Sequence, residues 1–228
     1  CDEAGIPAET AFATKPELAR RMLARLSAAG VEAAWVTGDT VYGGNGALRA
    51  WLEAQRQPYV LGIAANDGVD LPYGDTTMHV LPEEIAAYAL DPDEWQRLSA
   101  GEGAKGPRLS DWALVPLAPP RASGFEQALL IRRPLDAPDD PQHLTYYLTF
   151  APVGTPVATL VGVAGRRWTV EEDFEQAKGE VGLDHYEVRH WVGWYRHITL
   201  AMLALAYLAV VRARLRAEPA ATTAEGGA

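Results

Sequence analysis

The sequence AAWVTGD at residues 33–39 decides the fold class. It opens with a short apolar run, and the run ends at Gly38 and Asp39. Such a run predicts a buried β-strand, because a strand covered on both faces carries apolar side chains at consecutive positions. The strand would present Asp39 at its carboxyl end, where ligands gather in open α/β sheets.

The segments around this strand alternate between helix and strand. Residues 15–29 have apolar side chains at helical spacing, and Gly30 ends the pattern, which predicts a helix. After the strand, residues 47–55 have a helical pattern and residues 58–65 form a second apolar run. The order helix, strand, helix, strand is typical of an α/β domain.

The rest of the chain divides by composition. Gly, Pro and Asp become frequent after residue 65, which predicts an insertion at residues 66–155 with a short helix at 82–90 and strands at 129–133 and 145–150. Helical patterns return at residues 156–216. The small and polar residues 217–228 predict a disordered tail.

The composition is that of an ordinary globular protein, with 48% hydrophobic residues in a chain of 228. The net charge of −10 argues against indiscriminate nucleic-acid binding. However, residues 1–165 carry 12 Lys plus Arg against 21 Asp plus Glu, whereas residues 166–216 carry 8 against 7. We therefore expect any contact with a polyanion to lie mainly on the C-terminal helices.

Cysteine usage and apolar runs bear on the compartment. The single cysteine, Cys1, excludes an intrachain disulfide and favours a cytoplasmic protein. Because the chain begins with Cys rather than Met, we interpret it as a fragment or a processed product. Residues 198–211 form a continuous apolar run, but its length falls short of the roughly 20 residues of a spanning helix. We therefore predict a buried core helix there and no membrane partner.

Charged side chains gather at residues 167–178. If this segment is one helix, Glu171 lies about 40° from Arg167 and Lys178 about 20° from it, at roughly 100° per residue. One carboxylate would then be flanked by two cations, which suits a metal ligand with phosphate-binding neighbours. A separate apolar stripe would hold the helix against a core; its members are Val170, Phe174, Ala177 and Val181. The alternative is an ordinary solvated pair of Arg167 with Glu171 on a helix surface.

Asp39 and Glu171 are the candidate metal ligands. A strand-end Asp and a helical Glu can share a divalent cation through hard oxygen ligands, so we expect their carboxyl groups within about 10 Å of each other. The alternative for Asp39 is a turn or cap aspartate before the Gly-rich residues 43–46. A hydrolase that uses the two carboxyl groups as an acid/base pair is less favoured, because neighbouring cations stabilise the ionised form and a general acid must be protonated.

The spacing of Arg167, Glu171 and Lys178 resembles the Arg-Glu-Lys part of the signature of many DDE-type transposases of bacterial insertion sequences. Further stretches are similar to that family: FATKP at 12–16, WVTGDTVYG at 35–43, RWTVEEDFEQAK at 167–178 and GWYRHITLA at 193–201. Two features depart from the pattern. The signature's Tyr would fall at Ala164, and the family's first catalytic Asp would lie on a strand before residue 15, where Asp2 has no strand around it.

The resemblance implies a ribonuclease-H-like α/β core, truncated at its N-terminus and interrupted by the β-rich insertion before the catalytic helix. Residues 1–65 would be a partial core, and residues 156–216 the catalytic and C-terminal helices. The family's chemistry is DNA strand cleavage and strand transfer with Mg²⁺, or Mn²⁺, held by three carboxylates. Asp39 and Glu171 would be catalytic metal ligands, and Arg167 and Lys178 would bind DNA phosphates.

The partners implied are the DNA of the element ends and the target, with a possible homodimer in the full-length parent. Since the resemblance provides two of three carboxylates, we expect the chain alone to be inactive. The alternative is a non-catalytic, transposase-derived remnant that at most binds DNA or protein.

Overall fold

The computed structural model describes residues 2–103, 106–120, 122–138, 140–187 and 189–217. The chain divides into two compact units. One spans residues 12–169, and the other combines the described residues of 1–11 and 170–228. Of the predicted disordered tail at residues 217–228, Ala217 is the last residue of a helix, and residues 218–228 lie outside the described residues.

Among its described residues, the unit of residues 12–169 contains five α-helices and eight β-strands, besides two 3-10 helices of three residues each. In chain order they are α1 (Lys15–Ala28), β1 (Val36–Gly38), α2 (Thr40–Gly43), α3 (Gly46–Ala54), β2 (Tyr59–Ile63), β3 (Val69–Tyr73), β4 (Thr76–Val80), α4 (Pro82–Tyr88), β5 (Gln96–Gly103), β6 (Gly106–Pro116), β7 (Phe125–Arg133), β8 (Thr145–Pro152) and α5 (Val157–Arg166).

Six of these strands form one mixed sheet in the order β1-β2-β8-β7-β6-β5. β1 and β2 are parallel, whereas every other neighbouring pair is antiparallel. β3 and β4 form a separate antiparallel hairpin. All five residues of β2 are buried, as expected of a strand with helices on both faces.

Each face of the sheet has its own apolar core. On one face, residues of β2, β7 and β8 pack with Leu48 and Leu52 of α3 and with Ile85 of α4. On the other, Val60, Trp112 and Tyr147 pack with Leu160, Val161 and Ala164 of α5. We call this second side the α5 face. Among the described helices, only α5 contributes side chains to the core on the α5 face.

α5 approaches β5 closely enough to exclude a side chain. A Cβ atom on Gly165 would overlap the backbone carbonyl oxygen of Ala100. Nη2 of Arg108 donates to that same oxygen over 3.1 Å and to the carbonyl oxygen of Gly165 over 3.2 Å. The guanidinium therefore joins the C-terminal end of α5 to the sheet, where carbonyls of a helix end need donors.

The second unit contains α6 (Thr169–Val181), whose first residue belongs to the other unit, and α7 (Trp191–Ala217). Nε2 of His197 lies 3.0 Å from the carbonyl oxygen of Gly182, and Nη2 of Arg212 donates to Oε1 of Glu180 over 3.0 Å. These contacts connect α7 with α6 and with the turn that follows α6.

The fold class predicted from the sequence is confirmed. The structure is a mixed α/β fold consistent with a ribonuclease-H-like nuclease domain, and strands fill the region before the helix of Glu171. Helix α1 and strand β2 lie where the sequence predicts them. The strands β5 to β8, assigned to an insertion, continue the sheet that contains β1 and β2.

Two sequence-based predictions about helices are wrong. Residues 167–178 are not one helix, because α5 ends at Arg166 and α6 begins at Thr169. The buried core helix at residues 198–211 is instead part of α7, whose large apolar side chains are mostly exposed. The reason is that α7 carries apolar side chains on all sides. A neighbouring element on one side can bury only a few of them, and Ala201 is one that is buried.

By length and composition alone, Trp191–Arg216 could also cross a membrane: an 18-residue window within it has a mean hydropathy of 1.8, and 6% of that window is buried. A single helix of this kind is weak evidence, since core helices of soluble proteins have the same composition.

The contact between α5 and β5 generates a stability prediction. Gly165→Ala should lower the free energy of unfolding by about 1–3 kcal/mol, because the new methyl group cannot fit against Ala100. Gly162→Ala, in the same helix, meets no atom within 4 Å and should raise it by roughly 0.5–1 kcal/mol. Urea unfolding of both variants measures the difference. Equal effects would contradict the close approach.

Candidate metal and DNA-binding site

Asp39 lies at the carboxyl end of β1, directly before α2. Its Oδ1 accepts a hydrogen bond from the backbone N–H of Val41 over 2.9 Å, which makes Asp39 the N-cap of α2. The residue is exposed. The cap function that the sequence left open as an alternative is thus present. It occupies one carboxylate oxygen and is compatible with a ligand bound at the other.

Glycines hold α2, and with it Asp39, against β2. A Cβ atom on Gly43 would overlap the backbone carbonyl oxygen of Gly62, so only glycine fits at this position. On Gly62 itself, a Cβ atom would lie 3.4 Å from the backbone carbonyl carbon of Asp39. The backbone of Asp39 is therefore fixed next to the middle of the sheet, while its side chain is open to solvent.

A second carboxylate, Asp67, follows β2 and was not singled out by the sequence. Its Oδ2 accepts from the backbone N–H of Ala64 over 2.9 Å and lies 3.2 Å from where a Cβ atom of Gly44 would be. β1 and β2 are parallel, so their carboxyl ends lie at the same end of the sheet. Asp67 closes the turn after β2, and its position after a predicted strand is the signal that could have identified it.

The predicted site residues of the α5–α6 region divide between the two units. Arg167 follows α5 as its C-cap residue in the unit of residues 12–169, together with Asp39. Glu171 and Lys178 lie on α6 in the other unit, seven positions apart, which places them on one side of the helix at 3.6 residues per turn. The proximity of Asp39 and Glu171 stays a prediction.

The charged stripe therefore differs from its sequence-based description. Glu171 and Lys178 share a helix, but Arg167 does not belong to it. The predicted apolar stripe of α6 is only partly realised: Ala177 is buried, whereas Val170 and Phe174 are 48% and 54% exposed. The guanidinium carbon of Arg167 lies 6.0 Å from the ring centroid of Trp168, the residue between Arg167 and the start of α6.

The donor chemistry fits a hard divalent cation. Asp39 and Glu171 are both exposed carboxylates, and Mg²⁺ takes oxygen ligands from one or two carboxylates plus water or substrate. Among the described residues, no group of three or more His, Cys, Asp or Glu side chains could hold a metal ion. Any ion held by these two residues would need further ligands from water, DNA or another carboxylate.

The family comparison bears on the N-terminal part of the chain. Residues 1–79 match the family model described as DDE superfamily endonuclease. No curated protein matches the chain. The matched segment includes β1, Asp39, α2 and β2, and it supports a DDE-type, transposase-like domain with a transposase-type nuclease function.

Substitutions at Asp39 separate its cap function from its charge. Asp39→Ala should lower the free energy of unfolding by about 0.5–2 kcal/mol, whereas Asp39→Asn should leave it nearly unchanged because Asn caps equally well. Asn45 caps α3 in the same way, with Oδ1 accepting from the N–H of Leu48, so Asn45→Ala is the matched control. Urea unfolding that gave the same loss for Asp39→Asn and Asp39→Ala would show that the charge, and not the cap, stabilises the fold.

Proposed function

We propose that this chain is part of a DDE transposase that performs metal-dependent DNA strand cleavage and strand transfer. The observation that carries the proposal is the position of Asp39, at the carboxyl end of a parallel strand inside the segment that matches DDE superfamily endonucleases. DNA is the substrate that this family indicates. The finer assignments below rest on the resemblance of residues 167–178 to the Arg-Glu-Lys signature.

Asp39 and Glu171 are proposed as catalytic residues and as ligands of Mg²⁺, with Mn²⁺ as a substitute. Divalent ions held by these two residues would supply Lewis-acid chemistry for strand cleavage. The two carboxylates would hold the ions at the scissile phosphate. The cap bond to Val41 fixes the Asp39 carboxylate before any ligand arrives, so little conformational entropy remains to be lost.

Arg167 and Lys178 are proposed to bind DNA phosphates beside the two carboxylates. A guanidinium matches phosphate oxygens in a bidentate geometry, and an ammonium group acts as a point charge. Arg167 would position the backbone more precisely than Lys178, because the planar fork of a guanidinium fixes the orientation of the phosphate.

The edge of the sheet next to Asp39 supports a role for a further strand. β1 pairs with β2 along one edge, and no strand among the described residues pairs with its other edge. A strand bearing an Asp at this edge would place a third carboxylate near Asp39. We propose that catalysis needs this third ligand, so that the 228-residue chain alone is inactive.

We propose that the whole enzyme acts in the cytoplasm, as a homodimer, on the DNA of the element ends and the target. We also propose that α7 is covered by protein and does not enter a membrane. The second candidate is a non-catalytic remnant that at most binds DNA or protein. It is favoured by one observation: no group of three possible metal ligands exists among the described residues.

A nicking assay on supercoiled plasmid carrying element ends distinguishes the two candidates. We expect no nicking by the 228-residue chain in Mg²⁺ or Mn²⁺, and nicking by a longer chain that adds an Asp-bearing strand for the open edge of β1. In the longer chain, Glu171→Gln should abolish nicking, because an amide is a neutral and weaker ligand. Nicking by the 228-residue chain that Glu171→Gln abolishes would contradict the need for a third carboxylate. A longer chain that binds DNA without nicking it would favour the remnant.

A further inference from the structure

Consecutive arginines at the end of β7 lie on opposite faces of the sheet. The register of β6 and β7 pairs Arg132 with Trp112 and Arg133 with Asp111. Side chains alternate along a strand, so Arg132 lies on the α5 face and Arg133 on the other. Two residues with the same charge, one position apart, therefore have different surroundings.

Arg133 is neutralised within the fold. Its Nη2 donates to Oδ2 of Asp111 over 3.4 Å, and its guanidinium carbon lies 4.0 Å from the ring centroid of Trp95. Arg97 donates to the same carboxylate through Nε over 3.0 Å. The hydrogen bond from Arg97 contributes most to lowering the pKa of the Asp111 carboxyl, and the bond from Arg133 contributes less. The pKa lies below its usual range, so this group is ionised at neutral pH. The structure thus accounts for Arg133 by an ion pair and an aromatic contact.

Arg132 has only a neutral partner. Its Nε donates to Oγ of Ser110 over 2.9 Å, and Ser110 is buried. Neither Arg132 nor Arg108 forms an ion pair with a described carboxylate, and the bonds of Arg108 go to the carbonyl oxygens of Ala100 and Gly165. Both guanidinium groups are partly buried, where an uncompensated charge is costly. In a chain with net charge −10, two partly buried guanidinium groups that have no carboxylate partner among the described residues point to an external anion.

Arg167 belongs to the same surface. Arg132 follows Leu130, the partner of Tyr147 in β8, by two positions on the α5 face, and Tyr147 packs with Ala164 near the end of α5. Burial raises the pKa of Tyr147, and the positive charges of Arg132 and Arg167 act in the opposite direction. Arg108 binds the carbonyl oxygen of Gly165, two residues before Arg167, so the three arginines come from β6, β7 and the end of α5 within the unit of residues 12–169.

We infer that Arg132 is a DNA-phosphate contact, oriented by Ser110 and acting next to Arg167, while Arg108 adds charge and positions the end of α5. The terminal amino groups of Arg132 make no hydrogen bond to a described residue, which leaves a fork of donors for phosphate oxygens. The inference rests on the proposed function, since DNA is its ligand. It assigns the β-rich part of the chain a role in holding the DNA backbone beside Arg167, within the same unit.

The test is the salt dependence of DNA binding by the full 228-residue chain. The probe is a fluorescent duplex of about 30 base pairs and arbitrary sequence, because phosphate contacts do not depend on sequence. Arg132→Gln should reduce the slope of log K against log salt by about 0.9, the value for one lost phosphate contact. Arg132→Lys keeps the charge and should retain the slope while weakening binding, since it loses the bidentate fork.

Arg133→Gln is the matched control. It removes the same charge one residue away and should leave the slope unchanged while lowering thermal stability, because Asp111 loses one of its two guanidinium partners and Trp95 loses the cation over its ring. An unchanged slope in Arg132→Gln, with a reduced slope in Arg167→Gln, would overturn this inference and leave the proposed function standing. No binding of the duplex by the unsubstituted chain would overturn both. Equal slopes for Arg132→Gln and Arg133→Gln would also overturn the inference, because only general charge would then matter.

Discussion

The burial of β2 on both faces is the constraint on which the rest of this structure depends. β2 lies between β1, which is parallel to it, and β8, which is antiparallel. Helices α3 and α4 contribute to the core on one face and α5 to the core on the other. The backbone groups of such a strand must form hydrogen bonds with neighbouring strands, and its side chains must be covered. β2 therefore determines the position of β1, and β1 determines the position of Asp39 at its carboxyl end.

The same arrangement explains why polar function concentrates at the ends of the strands. The middle of the sheet is apolar on both sides, so charged groups are tolerated at its rim. Near the β5–β6 end, one face holds Asp111 with two arginines, whereas the α5 face holds arginines bonded to neutral oxygens. The asymmetry follows from side-chain alternation along β6 and β7, which places the ion-paired Arg133 on one face and Arg132, bonded to the neutral Ser110, on the other.

The sequence predicts those elements whose signals are local. α1 begins at Lys15, after a reciprocal capping box formed by Thr14 and Glu17. Gly30 follows the helix with a φ of 74°. β2 is a continuous apolar run. In contrast, β5 and β6 have no clean alternation, because Arg108 and Ser110 are polar residues on the face that is covered by α5. Their pairing depends on contacts with α5 that no local pattern contains.

Two errors about the helices have a related origin. Helical spacing continues through residues 167 and 168, but the chain interrupts its helix there, and periodicity alone does not show such a break. In α7 the apolar residues predict burial without specifying what would cover them. The cap bond of Asp39 and the separate surroundings of Arg132 and Arg133 likewise depend on three-dimensional contacts.

The central proposal is that Asp39 and Glu171 are ligands of one divalent ion. The most direct measurement is an anomalous difference map from crystals grown with MnCl₂. The account predicts a peak at about 2.1 Å from a carboxylate oxygen of each residue, a distance typical of small divalent ions with oxygen ligands. A peak bound to only one of them, with the other carboxyl group more than about 10 Å away, would contradict it.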